Sequence, residues 1–440
     1  MKKRVTSFLV VLVISGLSVF SLASANGNAA VNINYWFSWG GFWGKEHQEI
    51  LSAFNKTHPE IKVTGLTIPY SEMIPKLLTA IAAGDPPDMV TIFGGTNAGL
   101  YPKMFACLDD FVKENEETMG PQNWFPEVLD YMKFEGKLYG LPWVSSSEGL
   151  FYNVDLFREA GLDPQNPPKY WRDLAVASEK LTKKNEQGRI TTLGFWFPGD
   201  VRAFDTNWTI YWFYRNNGRL WDPEKKEMTL ADPENIETLE YLASWARKNG
   251  PEEIERFIVS AEAVSPEVEG WFEQGKLAMA EFGPWSVGHI TEHAPNLNYD
   301  VGMVPYPESG TPVTTNYVDV MYIPRGNKHL QEAWTFITWM ATEGTTIWST
   351  KFGETPARYD VAASPDFEKM SGYDLFKRIS IDYHKYGKAS LPGFPIRTIF
   401  ADQATRYYQQ VMHLKMSPKD ALEELQVVMQ KELDKFYEKR

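Results

Sequence analysis

Residues 61–93 read IKVTGLTIPYSEMIPKLLTAIAAGDPPDMVTIF, and their hydrophobic pattern changes twice along this length. The pattern predicts a strand over 60–68, a helix over 71–83 and a short buried strand over 89–93. The helix is expected to end at Gly84, because that glycine is followed closely by two prolines. Strands that alternate with helices are typical of a sheet covered by crossover helices.

The alternation extends outward from this stretch in both directions. Residues 31–37 alternate like a further strand, and the apolar residues after Trp43 recur at helical spacing. Near Tyr139 the pattern changes, and an extended run over 143–153 is predicted to cross from one lobe to another. Beyond it the sequence predicts strands near 190–195, 299–304 and 317–323, and helices at 154–160, 171–184, 206–216, 233–248, 329–342, 397–412 and 418–437. We therefore expect an α/β protein with a second lobe.

The composition narrows the class of protein. Of 440 residues, 43% are hydrophobic and 14% aromatic, with 16 Trp and a single Cys, so the chain is neither disordered, collagenous nor disulfide-stapled. Domains average about 100–200 residues, so the length predicts two or three cores. The net charge of −13 disfavours nucleic acid and anionic membrane as partners, since both are bound through clustered basic side chains. A neutral or cationic small ligand suits this charge better.

The first residues of the chain predict export. Basic residues at positions 2–4 precede a nearly unbroken apolar run, and Ala23-Ser24-Ala25 offers the small-x-small pattern that signal peptidase cleaves. The predicted signal peptide is 1–25. The mature chain is expected to begin at Asn26, where a lipoprotein would carry its lipid-bearing cysteine. We therefore expect the protein to be free in the periplasm or the medium.

A set of motifs follows in a specific order along the chain. They are Pro59-Glu60-Ile61-Lys62-Val63, Pro69-Tyr70, Lys76–Gly84, Pro87-Asp88, Tyr139-Gly140-Leu141-Pro142, Phe151–Phe157, Ala160-Gly161-Leu162, Pro167–Trp171, Gly283-Pro284-Trp285 and Ala333–Ile337. Together they resemble the family 1 extracellular solute-binding proteins of ABC importers, of which maltose-binding and glycerol-3-phosphate-binding proteins are similar members. The match covers nearly the whole mature chain.

The resemblance implies the two-lobed α/β fold of the type II periplasmic binding proteins, in which each lobe is a mainly parallel sheet flanked by helices and hinge segments cross between them. It implies an N-terminal lobe of 26–142 plus 315–358 and a C-terminal lobe of 143–314 plus 359–440. The ligand lies in the cleft, and its binding shifts the population from open to closed. We expect a monomer without a cofactor that delivers a carbohydrate to ABC permease subunits in the inner membrane.

The residue types point to a sugar independently of the resemblance. A pyranose has apolar faces and a hydroxyl rim, so its site needs aromatic platforms and directed hydrogen bonds. Open α/β sheets bind ligands at the carboxyl ends of their strands. There Trp39 and Gly41 follow the first strand, while Thr96 and Asn97 follow the strand over 89–93. The neighbouring Trp43 is expected to fill the core, the commoner fate of an aromatic residue.

Several of these residues have plain structural alternatives. The glycines before Thr96 also suit a simple turn, and Ser146, at the crossing, also suits a solvent-exposed linker. By resemblance, Trp285 is the family's stacking tryptophan and opens a helix whose N-terminal amides face the cleft. Each candidate arginine is either a donor of two parallel hydrogen bonds or an ion-pair partner. The remaining candidates by resemblance are Tyr70, Trp208, Gly283, Tyr317, Arg358 and Arg397.

Catalysis is the alternative class, because secreted glycoside hydrolases also combine a cleft, tryptophans and two carboxylates. Glu46, Asp205, Glu281 and Glu354 are available, but abundant acids are expected on the solvated face. The chain has no HExxH, nucleophile elbow or CxxC, and its seven His and one Cys suggest no metal-ligand spacing. The sequence therefore predicts neither an enzyme nor a metal site. Cys107 is expected to be a small buried hydrophobe.

Glycerol 3-phosphate is the second candidate ligand. Arg397 resembles the arginine with which the glycerol-3-phosphate-binding protein holds its ligand, but a phosphate dianion wants several converging cationic donors. The loops over 94–97 and 145–147 offer neutral groups only. Trp39 and Trp285 add platforms that a small polar ester does not need. The predicted ligand is therefore a neutral mono- or oligosaccharide.

Overall fold

The computed structural model describes residues 29–93, 101–125, 128–129, 132–196, 201–202, 204, 209–265, 268–369, 372–382, 384–389 and 394–438. Its elements up to the first crossing are β1 (Val31–Phe37), α1 (Gly41–Thr57), β2 (Ile61–Thr67), α2 (Tyr70–Ala82), β3 (Met89–Phe93), α3 (Tyr101–Met104), α4 (Asp109–Glu114), α5 (Glu116–Met119), β4 (Lys133–Phe134), β5 (Lys137–Leu138) and β6 (Gly140–Ser146).

The first lobe is built on one sheet in the order β15-β14-β3-β1-β2, where β14 (Thr314–Tyr322) and β15 (Gly387–Ala389) come from late in the chain. β1 pairs in parallel with β2 and β3, as crossover helices α1 and α2 require. β14 is antiparallel to both β3 and β6. This sheet brings the carboxyl ends of β1 and β3 to one edge.

The elements after the crossing are β7 (Gly149–Asn153), α6 (Val154–Glu159), α7 (Trp171–Leu181), β8 (Lys183–Lys184), β9 (Ile190–Thr192), α8 (Thr209–Arg215), β10 (Trp221–Asp222), β11 (Glu227–Met228), α9 (Pro233–Asn249), α10 (Pro251–Glu262), α11 (Val268–Glu273), β12 (Met279–Phe282), α12 (Trp285–His293) and β13 (Tyr299–Gly302). The elements after β14 are α13 (Leu330–Trp339), α14 (Thr345–Phe352), α15 (Tyr359–Ala362), α16 (Tyr373–Lys377), β15, α17 (Arg397–Met412) and α18 (Pro418–Glu438).

The sheet of the second lobe differs from the expected parallel arrangement. β7 lies between β12 and β13 and pairs antiparallel with both. Gly149, the first residue of β7, pairs with Phe282, the last residue of β12, so the two strands run in opposite directions. β7 runs away from the crossing while its neighbours run back toward it. Parallel pairing in the described part of this lobe is limited to isolated bridges such as Leu193 with Leu277.

The described residues form two separate hydrophobic cores. One takes its side chains from 33–144 and 318–357, and the other from 150–313 and 379–433. The chain thus passes between the cores near residue 147, near residue 316 and after residue 357. No described helix combines the length and apolar character needed to cross a membrane.

The two central crossings are tied to each other by buried polar contacts. The Thr314 hydroxyl accepts a hydrogen bond from the Glu148 amide at 2.8 Å and donates one to the Glu148 carbonyl at 2.7 Å. Beside them, the Arg215 guanidinium donates to the Val313 carbonyl at 2.7 Å and forms a fully buried ion pair with Glu281. Burial and the nearby Glu281 raise the pKa of the Glu148 carboxyl well above its ordinary value.

Candidate functional site

A cavity of about 130 Å³ is lined mainly by aromatic rings and has walls from both cores. One wall is Trp285, the first residue of α12, a helix that buries Val287 and Ile290 in the second core. The other described lining residues belong to the first core or to the strand and loop beside it. They are Trp39, Trp43, Phe93, Asp319, Trp348 and Glu354.

Trp39 sits where β1 ends, at the carboxyl edge of the sheet, as expected. Only 9% of it is exposed, because its ring stacks on His47 at 4.4 Å between centroids and meets Trp143 edge-on at 5.5 Å. Burial lowers the pKa of His47 to about 3, so a neutral imidazole supports the indole at ordinary pH. Trp39 is therefore held in place by its neighbours where it lines the cavity.

Trp43 was expected to fill the core, and it does so only in part, because it packs against the first core and also borders the cavity. It is half-buried and lines the cavity, with its ring 5.3 Å from Phe352 and 6.1 Å from Trp348. The reason is its position in the first turn of α1, which begins at the cavity edge of the sheet. Gly41, which starts that helix, has a φ of 52° and turns the chain from β1 into α1; it is not among the described lining residues.

Trp285 is held over the backbone of Gly283. A Cβ placed on Gly283 would lie 1.9 Å from the Trp285 ring, so only glycine lets the indole lie there. The indole N–H donates to the Glu269 carboxylate at 3.3 Å, and that carboxylate also accepts from the Ser286 hydroxyl at 3.0 Å. These contacts fix the orientation of a half-buried ring whose exposed face borders the cavity.

Two carboxyl groups also line the cavity, and sequence reasoning did not select either as a binding residue. Asp319 lies on β14, paired with Phe93 of β3, and the register with β6 shifts between Asp319 and Val320. Such bulges re-aim side chains. Its Oδ1 is buried and has no hydrogen-bond partner among the described residues. Glu354 accepts a hydrogen bond from the indole N–H of Trp348.

The environment of these carboxyl groups favours their neutral forms. Burial raises the pKa of Glu354 to about 7, although the Trp348 hydrogen bond opposes the shift. Burial and the nearby Glu354 charge raise the pKa of Asp319 well above its ordinary value. The pair can therefore donate or accept hydrogen bonds at the cavity wall, according to pH.

Three predicted contact residues lie near the cavity without lining it in the described structure. Tyr70, at the start of α2, is 49% exposed and stacks at 5.9 Å on Phe93, which lines the cavity. Ser146 is fully buried, and its hydroxyl accepts from the Thr355 amide at 3.3 Å. It is therefore not an exposed linker serine either. Tyr317 pairs with Ser146 through the β14 and β6 backbones.

Arg358 was expected to be either a ligand donor or an ion-pair partner, and its described contacts are those of an ion-pair partner. Its guanidinium is buried over the Trp124 ring, makes two hydrogen bonds to Asp360 at 2.7 and 3.0 Å and a third to the Thr118 carbonyl at 2.8 Å. None of these partners is a described lining residue of the cavity. Arg397 is buried at the start of α17 and is not among the described lining residues.

Four predictions lie outside the described residues. They are the binding residues Thr96, Asn97 and Trp208 and the signal peptide over 1–25. A fifth prediction is corrected by the described residues: Cys107 is exposed rather than a buried hydrophobe.

The acids considered for catalysis are not on a solvated face where the structure describes them. Glu46 and Glu281 are both 6% exposed, since Glu46 pairs with Lys351 and Glu281 with Arg215. Only Glu354 of these acids reaches the cavity in the described structure, and Asp205 lies outside it. The described acids therefore either form an ion pair, as Glu46 and Glu281 do, or line the cavity, as Glu354 does.

The expectation that no histidines have metal-ligand spacing is wrong. His289 and His293 lie four residues apart on α12, and a ligand atom from each lies within 4.8 Å of the other and of a Glu273 carboxylate oxygen. The signal was present as His289-Ile290-Thr291-Glu292-His293, the H-x-x-E-H spacing of inverted zinc peptidases.

The family model described as bacterial extracellular solute-binding protein matches residues 44–347. The chain belongs to this family. The resemblance inferred from the motifs is thus confirmed. A solute-binding relative, the sn-glycerol-3-phosphate-binding periplasmic protein UgpB of Escherichia coli, is 27% identical over 385 residues, which cover 83% of this chain and 84% of the relative.

Solved structures of solute-binding proteins share the fold. CpMnBP1 with mannotriose bound superposes with a TM-score of 0.79 at 26% identity, covering 90% of this chain and 99% of that one. A solute-binding protein of Thermotoga lettingae bound with α-D-tagatose gives 0.77 at 23% identity, covering 92% and 100%. The expected class of two-lobed α/β binding protein is confirmed.

Proposed function

We propose that this chain is the sugar-binding component of an ABC importer and holds a neutral mono- or oligosaccharide in the aromatic cavity. The observation that carries the proposal is the composition of the cavity wall, where indole rings from both lobes surround two carboxyl groups. Flat rings stack on the apolar faces of a sugar, and carboxyl oxygens accept hydrogen bonds from its hydroxyls. The mannotriose complex of CpMnBP1, a solved relative at 26% identity, supports the same class of ligand.

In this proposal each side chain has a distinct role. Trp285 approaches the sugar from the second lobe, while Trp39 and Trp43 approach from the first. Asp319 Oδ1 is buried and has no described partner. It accepts a hydrogen bond from a sugar hydroxyl when the cleft closes. A sugar that contacts both walls favours the closed arrangement of the lobes, because only there are all contacts made.

Glycerol 3-phosphate is the alternative ligand, favoured by the likeness to UgpB. A phosphate dianion needs converging cationic donors, yet the described lining residues include no Lys or Arg. The chain segments outside the described structure over 94–100, 197–200, 205–208 and 390–393 contain none either. The cavity therefore favours a neutral ligand.

The location and partners follow from the same proposal. The segment 1–25 directs export and is removed, and the mature protein is a periplasmic monomer without catalytic activity that meets permease subunits in the inner membrane.

A thermal-shift screen of the mature chain tests the proposal. The panel contains mannobiose, mannotriose, maltose, tagatose and glycerol 3-phosphate. A ligand present at 100 times its dissociation constant stabilises the folded state by about 2.7 kcal/mol, which raises the melting temperature measurably. We expect this shift with at least one neutral sugar, and its loss in Trp285→Ala but not in Trp245→Ala, which removes a tryptophan away from the cavity. Steady release of reducing ends from the bound sugar would instead identify a hydrolase.

A further inference from the structure

Two histidines with metal-ligand spacing lie on the same helix as Trp285, about one and two turns further on. His289 and His293 share one face of α12, because residues four apart on a helix lie one above the other. Glu273, the last residue of α11, faces them from the neighbouring helix. Three ligand atoms, one from each residue, lie within 4.8 Å of one another. Two histidines at this spacing on a helix face are a recurrent zinc-binding pair.

The hydrogen bonds around the histidines define which nitrogen carries a proton. Nδ1 of His293 lies 2.9 Å from the backbone carbonyl of His289, and because a carbonyl only accepts, this nitrogen donates. Nε2 of the neutral ring is then the nitrogen with the lone pair. Metal-binding histidines are commonly oriented by such a bond from the other ring nitrogen to a carbonyl. His293 is thus already in the tautomer that a metal requires.

The spacing of the remaining groups is close to that of a coordination shell. Nδ1 of His289 and a carboxylate oxygen of Glu273 lie 2.8 Å apart, and the two imidazole rings stack with centroids 4.2 Å apart. Ligands around a tetrahedral zinc ion, at bonds of about 2.0–2.1 Å, lie about 3.4 Å from one another. The three ligand atoms lie within 4.8 Å of one another and are therefore close to this separation.

The burial of the three side chains also suits an ion at the protein surface. His289 is 5% and Glu273 11% exposed at the side chain, whereas His293 is exposed. An ion held by all three is shielded on one side and reaches water on the other. The ring of His289 also lies 6.0 Å from Trp43 of the first lobe. The cluster is therefore close to the line where the lobes meet.

We propose that Glu273, His289 and His293 form a binding site for one divalent transition-metal ion of the Zn²⁺ type, with water completing a tetrahedral shell. Two imidazoles and one carboxylate are a ligand set that zinc uses in sites with an open position. This site shares no residue with the described lining of the sugar cavity, and the proposal does not depend on the sugar-binding function. An ion there links α11 to α12.

The test uses the mature chain without a polyhistidine tag and Zn²⁺ in competition with a chromophoric chelator. We expect one ion per chain, and at least about tenfold weaker binding in His293→Ala and in Glu273→Gln. His293 is exposed, so its variant retains the fold, which an unchanged melting temperature without metal verifies. Co²⁺ gives a second readout, since a tetrahedral site produces strong visible absorption and a fully hydrated ion does not.

His413→Ala is the matched control. Its Nε2 lies 3.4 Å from a Glu255 carboxylate oxygen, so it has the same kind of partner but belongs to no cluster of three ligand groups among the described residues. This variant should bind Zn²⁺ as the parent does. Equal Zn²⁺ affinity in the parent and His293→Ala, equal weakening in His413→Ala, or no ion retained against the chelator would each overturn the site.

Discussion

Glu354 provides a quantitative test of the cavity's electrostatics. Burial raises its pKa from 4.5 to about 7 in the folded protein. The native state therefore holds a proton that the unfolded chain has already released, and stability falls as pH rises from about 4.5 through about 7. One pKa unit corresponds to 1.36 kcal/mol, so a shift of this size costs about 3 kcal/mol above pH 7. Glu354→Gln mimics the protonated form and keeps the acceptor for Trp348.

We therefore expect Glu354→Gln to match the parent near pH 4 and to exceed its free energy of unfolding by about 3 kcal/mol near pH 8. Urea unfolding of the ligand-free protein at pH 4, 5, 6, 7 and 8 measures this difference. Glu46→Gln is the control, because that buried acid pairs with Lys351 and its loss should destabilise the protein at neutral pH. A constant difference between Glu354→Gln and parent across this range would refute the assignment of a protonated Glu354.

Three further variants separate ligand contacts from scaffold. Trp285→Ala should weaken sugar binding by about tenfold or more, a loss of ~1–3 kcal/mol in calorimetry, with little change in melting temperature without ligand; a large loss of stability would instead make it a core residue. Gly283→Ala should weaken binding similarly, because the new methyl group displaces the Trp285 ring; unaltered affinity would contradict the proposed stacking. Arg358→Ala should lower the free energy of unfolding by about 2 kcal/mol and leave sugar affinity unchanged, since its hydrogen bonds hold Asp360 and a backbone carbonyl; a selective loss of affinity would restore it as a ligand donor.

Local patterns predicted the secondary structure well because they depend on neighbouring residues. The expected strands over 31–37 and 89–93 match β1 and β3 to the residue, and the helix over 397–412 matches α17. Strand direction in the second lobe was not predictable in this way. It depends on whether a strand leaves or returns to the crossing, which alternation of polar and apolar residues does not encode.

The candidate site was predicted only in part, because side-chain direction depends on tertiary packing. Trp39 was predicted from its place after a strand and Trp285 from the resemblance to the family. Trp43 differs from a core tryptophan only by lying at the sheet edge. Asp319 had a readable signal, an acid between two valines in a buried strand. Arg358 could not be separated from a ligand donor without seeing Asp360 and the Trp124 ring beneath it.

The most direct test of the sugar assignment is calorimetric titration of the mature protein with mannotriose and with glycerol 3-phosphate, each at low and at high salt. Mannobiose, maltose and tagatose follow if mannotriose gives no heat. Stacking and hydrogen bonding to a neutral ligand do not depend on screened charge, whereas binding of a dianion does. We predict that a neutral sugar binds with an affinity that salt hardly changes, and that glycerol 3-phosphate does not bind. Tight binding of glycerol 3-phosphate that weakens with salt, together with no response to any sugar, would contradict the account.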